Sequence, residues 1–94
     1  MQITEVRVRL VKGNEKVRGY ASINFDDCFI VRGLTILAGE QGLYVVMPSK
    51  RRKDGSYQDI AHPINNETRI IIENAVLDEY QKCFDEEVDH ETPT

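Results

Sequence analysis

The chain has 94 residues, 40% of them hydrophobic and 30% charged, which supports one small globular domain and argues against a disordered chain; no apolar run approaches the ~20 residues of a membrane span. Its net charge is -4, from 12 Lys and Arg against 16 Asp and Glu. Five of those acids lie in residues 85–94, which hold no Lys or Arg, so residues 1–84 carry 12 cations against 11 acids, and a local basic cluster there can hold an anion once salt screens the distant charge.

Val6, Val8 and Leu10 alternate with Arg7 and Arg9, the period-two pattern of a strand with one buried and one cationic face. Gly13-Asn14 centres a hairpin turn over Lys12 to Lys16. Val17, Gly19, Ala21, Ile23 and Phe25 then alternate with Arg18, Tyr20, Ser22 and Asn24, predicting a second strand antiparallel to the first. Gly19 and Ala21 leave space on its inner face for something bulky, expected to be a later helix. Asp26-Asp27 makes the next turn. The β-branched run from Cys28 to Leu37 predicts a third strand, in which Gly33 marks a bulge or bend. Gly39-Glu40-Gln41-Gly42 returns the chain into Leu43 to Met47 and completes a four-stranded meander, whose short connections favour an antiparallel sheet over a crossover fold.

Past Pro63 the period changes. Asn65 and Asn66 supply an N-cap, Glu67 is an acid in the first turn, and Ile72, Val76, Tyr80 and Cys83, flanked by Ile71, Ala75 and Phe84, form one apolar stripe. This predicts one helix from Glu67 to Phe84. The expected fold class is therefore α+β, an antiparallel four- to five-stranded sheet with one C-terminal helix packed on one face, over residues 1–84. Residues 85–94 have no periodicity and end in Thr-Pro-Thr, so a disordered acidic tail is expected there, either a solubilising appendage or a competitor for the cations of the body.

Between the fourth strand and the helix lies the chemically distinctive stretch, Gly42 to Pro63. It carries four consecutive cations, Lys50, Arg51, Arg52 and Lys53, then an Asp54-Gly55 turn and a short β-like run, Tyr57 to Ala61. Pro48 cannot donate to a strand ladder and Asp-Gly tolerates a tight turn, so the cations are expected in a loop held out by strands. Adjacent cations repel one another and gain most against a polyanion, although a solvated loop has the same composition. Tyr44 and Tyr57 flank the loop, available either for stacking on bases or for cross-strand packing. His62 reads as a hydrogen-bonded junction residue rather than a general base, because no nucleophile or metal partner of recognisable spacing accompanies it. Asp54 is expected to make the turn, and Asp59 to pair with a cation or cap backbone N–H groups. Cys28 and Cys83 lack metal-ligand spacing and read as reduced and structural, with a free exposed thiol as the alternative for Cys83. With no catalytic constellation, metal set or cofactor motif in view, an enzyme is not expected.

Gly42-Leu43-Tyr44-Val45, Met47-Pro48-Ser49-Lys50-Arg51, Asp54-Gly55, Asp59 through Asn65, Thr68-Arg69, Ala75-Val76-Leu77 and Glu79-Tyr80 together resemble the signature of the stage V sporulation protein G (SpoVG) family of small bacterial regulators. The resemblance runs from about Met1 to Tyr80. It implies a sequence-preferring DNA-binding, and often RNA-binding, regulator without catalysis, linked to septation and sporulation-type control and acting as a homodimer. Arg52 and Lys53 depart from the pattern, which often has an uncharged pair such as Thr-Pro there. Lys50, Arg51, Arg52 and Lys53 are expected to contact phosphates or base edges, with Arg69 as a supplement. The alternative sites are the helix face with Arg69 and the strand face of Arg7, Arg9 and Arg18. A sheet of this size leaves an edge open, so the homodimer is expected to form by edge-strand pairing or exchange. No signal-peptide pattern follows Met1, and the cytoplasm is the expected address. The competing function is a protein-protein interaction module of the septation or stress machinery that does not bind nucleic acid directly.

Overall fold

The computed structural model describes residues 1–91, with side chains as far as Glu87. Four strands, β1 (Ile3–Leu10), β2 (Val17–Phe25), β3 (Phe29–Gly39) and β4 (Gly42–Val46), form one antiparallel sheet in sequential order. Two further strands, β5 (Ser49–Arg51) and β6 (Tyr57–Asp59), form a separate two-stranded hairpin, and α1 (Asn66–Glu91) follows. This is the α+β arrangement that the periodicities predict.

The turns explain the order. Gly13 takes φ +77°, and the Asn14 carboxamide oxygen accepts from the backbone N–H of both Lys16 and Val17, an Asx-type turn joining β1 to β2. Asp26 and Asp27 both adopt positive φ, 52° and 54°, as the central residues of a type I′ turn must, and Cys28 N–H closes it on the Phe25 carbonyl. The start of β1 locks that corner, because Gln2 N–H donates to the Asp26 carboxylate and Asp27 N–H to the Thr4 hydroxyl. In β3 the expected irregularity at Gly33 is a bulge: Ala21 pairs with Leu34 and Ile23 with Val31, so β3 spends one residue more than β2, and Gly33 takes φ +86°.

One face of the sheet is the core. Ala21, Ile23 and Phe25 of β2, Leu34 and Ile36 of β3, Val45 and Met47 pack with Ile72, Val76 and Tyr80 of α1, and Val6, Val8 and Leu10 of β1 close the side. The helix lies mostly over β1, with smaller contacts to β4 and β2. The space above Gly19 is occupied from within the sheet: a side chain there would meet Ile36 and Val8, and would crowd the Arg9 carbonyl at 3.0 Å. The apolar stripe on α1 is also narrower than its sequence suggests, because Ile71 stays largely exposed and Phe84 is only partly covered, its ring stacked on Tyr80.

The helix starts as predicted, with the Asn65 carboxamide accepting from Thr68 N–H at 2.8 Å. Asn65→Ala removes that cap and is expected to cost about 1 kcal/mol in a urea unfolding experiment. The helix does not stop at Phe84. Asp85 to Glu91, expected as disordered tail, continue it, since no Gly or Pro intervenes and glutamates are good helix formers. Gln81 donates to Asp85 one turn on, and Lys12 pairs with Glu87. Residues 92–94 of the expected tail lie outside the described residues. The cysteines also depart from expectation: Cys28 is the exposed thiol, whereas burial and the neighbouring Glu79 carboxylate push the Cys83 thiol up. Among the described residues no helix is long and apolar enough to cross a membrane.

Candidate nucleic-acid interface

The basic stretch is more ordered than a loop. Ser49 pairs with Asp59, Lys50 with Gln58 and Arg51 with Tyr57, so the first two cations lie on a strand and only Arg52 and Lys53 lie in the turn. Tyr57 to Asp59 supplies the partner strand that makes this possible. Arg52 N–H donates to the Ser56 carbonyl at 2.7 Å and Gly55 N–H to the Arg52 carbonyl, with Gly55 at φ +90°. At the base, Ile60 N–H donates to the carbonyl of buried Pro48. Every residue from Ser49 to Ile60 is exposed, and the hairpin makes its contacts almost entirely within itself. It stands away from the body.

Strand alternation divides the cations. Lys50 and Gln58 share one face of the hairpin, while Arg51 and Tyr57 sit opposite each other on the other. Arg52 and Lys53 project from the tip. None of the four makes an ion pair among the described residues.

Asp54 is the turn-maker, as expected. Its carboxylate accepts from the Ser56 hydroxyl at 2.6 Å and from Ser56 N–H at 2.9 Å, and these bonds hold its pKa below the ordinary aspartate value. A depressed carboxylate pKa means that the turn's hydrogen bonds are intact above the ordinary aspartate range and are lost as pH falls through the lowered value. Acid, or Asp54→Ala at neutral pH, is therefore expected to raise amide exchange at Gly55 and Ser56 while leaving β1–β4 protected. Asp59 takes neither expected role: it makes no ion pair and no side-chain hydrogen bond among the described residues.

The other candidates separate from the hairpin. Arg69 lies in the first turn of α1 and lines a shallow depression with the His62–Asn66 segment, which no hairpin residue shares. His62 holds its Nδ1 3.0 Å from the Pro63 carbonyl oxygen, the junction role anticipated for it. Tyr44 belongs to β4, where its ring lies against Gly39, so close that a side chain at that glycine would meet it at 2.9 Å; of the two flanking tyrosines only Tyr57 stands on the hairpin. One cation escaped the sequence reading. Arg32, in the β3 bulge, shares a shallow depression with Arg7 and Arg9 on the open face of the sheet. The Gly33 irregularity was visible, but its effect on the neighbouring side chain depends on register.

A family model described as SpoVG matches residues 1–82. Three relatives, each described as "Putative septation protein SpoVG", show how evenly the likeness extends. One from Archaeoglobus fulgidus is 53% identical over 81 residues, covering 86% of this chain and 95% of the relative. One from Oceanobacillus iheyensis is 48% identical over 91 residues, covering 97% and 95%, and one from Phytoplasma australiense is 44% identical over 89 residues, covering 95% and 93%.

Proposed function

The chain belongs to the SpoVG family, and on that premise we propose that it is a cytoplasmic, non-enzymatic regulator that binds DNA, and RNA as well, through the β5–β6 hairpin. The observation that carries this reading is a protruding hairpin with four exposed cations and no acid paired to any of them. A two-stranded ribbon fits the major groove of B-DNA, about 12 Å wide. Seated there, a guanidinium on one face, Arg51, reaches a guanine edge, while the cations at the tip and on the other face meet phosphate. Arg69 adds charge at the helix start. Salt titration tests the proposal: binding driven by phosphate weakens with a slope of about -0.9 per contact on duplex DNA, and a salt-independent complex would overturn it.

Two copies would present two such ribbons to paired half-sites. Of the two sheet edges, β1 carries Glu5, Arg7 and Arg9, charges that blunt strand addition, whereas β4 (Gly42–Val46) carries none and is the edge through which a two-fold dimer would pair or exchange strands. Sedimentation at micromolar concentration is expected to give a dimer, and a monomer alone would exclude this arrangement.

The second reading, a protein-docking module of the septation machinery, is favoured by the exposed isoleucines Ile60, Ile64, Ile70 and Ile71 around the helix start. It predicts partner binding that survives loss of the hairpin cations.

A further inference from the structure

The face of the main sheet that α1 leaves uncovered holds a second concentration of cations. Arg7 and Arg9 alternate with the core-facing Val6, Val8 and Leu10, so they stand on the side away from the helix. Register places Ser22 opposite Arg7 and Tyr20 opposite Arg9. From β3, the bulge delivers Arg32 to the same depression. Glu5 is the sole acid in β1–β4; it pairs with Arg7 at 2.8 Å, while Arg9 and Arg32 make no ion pair among the described residues. Tyr20, 43% exposed, lies on β2 between Arg9 of β1 and Thr35 of β3 and lines the same depression as Arg32.

This face adjoins the hairpin. A side chain at Gly33, next to Arg32, would touch Pro48 at 3.7 Å, and the Pro48 carbonyl closes the hairpin's base. The base of the hairpin and the Arg32 end of the open sheet face are therefore neighbours.

The geometry points to the open sheet face as a platform for single-stranded nucleic acid, with a base stacked on Tyr20 and the flanking phosphates held by Arg9 and Arg32. The inference rests on the proposed function for its ligand class and assigns the class a second surface and a strand preference. Four strands about 4.8 Å apart, with their side chains, are broader than the roughly 12 Å major groove, whereas unpaired bases can splay onto an exposed ring and arginines can take the phosphodiester between them. Duplex is thus left to the hairpin and single strand to the sheet.

Fluorescence anisotropy with labelled oligothymidylate and with a mixed-sequence duplex tests this on the full chain. Arg9→Ala/Arg32→Ala is expected to weaken oligothymidylate binding by roughly tenfold or more and duplex binding by less than about twofold. Tyr20→Leu is expected to lower single-strand affinity, and Tyr20→Phe to preserve it, because the ring face stacks and the hydroxyl does not. Ultraviolet crosslinking of oligothymidylate to the wild-type protein, which needs no variant to fold, is expected to mark Tyr20. The inference is overturned if the folded double variant binds oligothymidylate as wild type does, if crosslinks map to the hairpin alone, or if the double variant changes the oligomeric state, which would make this face an interface between copies. Replacing the four hairpin cations separates the two claims: loss of single-strand binding there alone overturns the sheet platform and keeps the hairpin, whereas a wild-type protein that binds neither probe overturns both.

Discussion

With Lys50, Arg51, Arg52 and Lys53 all replaced by Ala, the protein is expected to keep its circular dichroism spectrum and melting curve and to lose most of its affinity for duplex DNA. The fold survives because all four side chains are exposed and none is in an ion pair among the described residues, and exposed charges contribute little to stability. Binding suffers because the same four are the exposed cations of the protruding hairpin. If all four met phosphate, the salt slope would be about -3.6, a loss of roughly a hundredfold between 50 and 200 mM salt, and the variant would forfeit that dependence. The single variants are expected to differ, since Arg51 and Lys50 occupy opposite faces of the hairpin. Arg51→Ala should cost about 1 to 3 kcal/mol and relax sequence preference, whereas Lys50→Ala should weaken all sequences alike and reduce the slope by about one. Gel shift or anisotropy on the series decides it. Wild-type affinity in the folded quadruple variant would move the duplex site to Arg69 or to the face of Arg7 and Arg9.

Ile36→Ala is expected to give the largest loss of stability of any single truncation. Ile36 has 0% exposure, lies opposite Gly19 on one side and Val45 on the other, and fills the space that Gly19 leaves open. Removing its side chain leaves a cavity that the surrounding strands cannot collapse into, at a cost of about 2 to 5 kcal/mol. Against a total of about 5 to 15 kcal/mol for a small domain, that is a large fraction, and the midpoint of urea unfolding should fall accordingly. The control is Ile71→Ala, 58% exposed on α1, where a change within about 0.5 kcal/mol is expected. An equal loss at Ile71 would show that the outer face of the helix is buried between copies.

Where local chemistry is decisive, the sequence by itself determined the outcome. Val6, Val8 and Leu10 alternating with Arg7 and Arg9 meant a strand with one wet face; Gly13-Asn14 and Asp26-Asp27 meant turns, because their side chains tolerate or satisfy the conformations that turns require; Asn65 meant a helix start. The candidate hairpin was legible too, as a charge cluster with a family pattern around it. Only the tertiary structure decided that Lys50 and Arg51 face opposite ways, that Arg32 joins Arg7 and Arg9, and that Ile36 rather than the helix fills the space above Gly19. The reason is register. Turn and strand preferences are carried by a few adjacent residues, whereas what lies across a strand, or which face a bulge presents, depends on pairing with residues far away in the chain, and a shift of one residue there sends every side chain to the other side of the sheet.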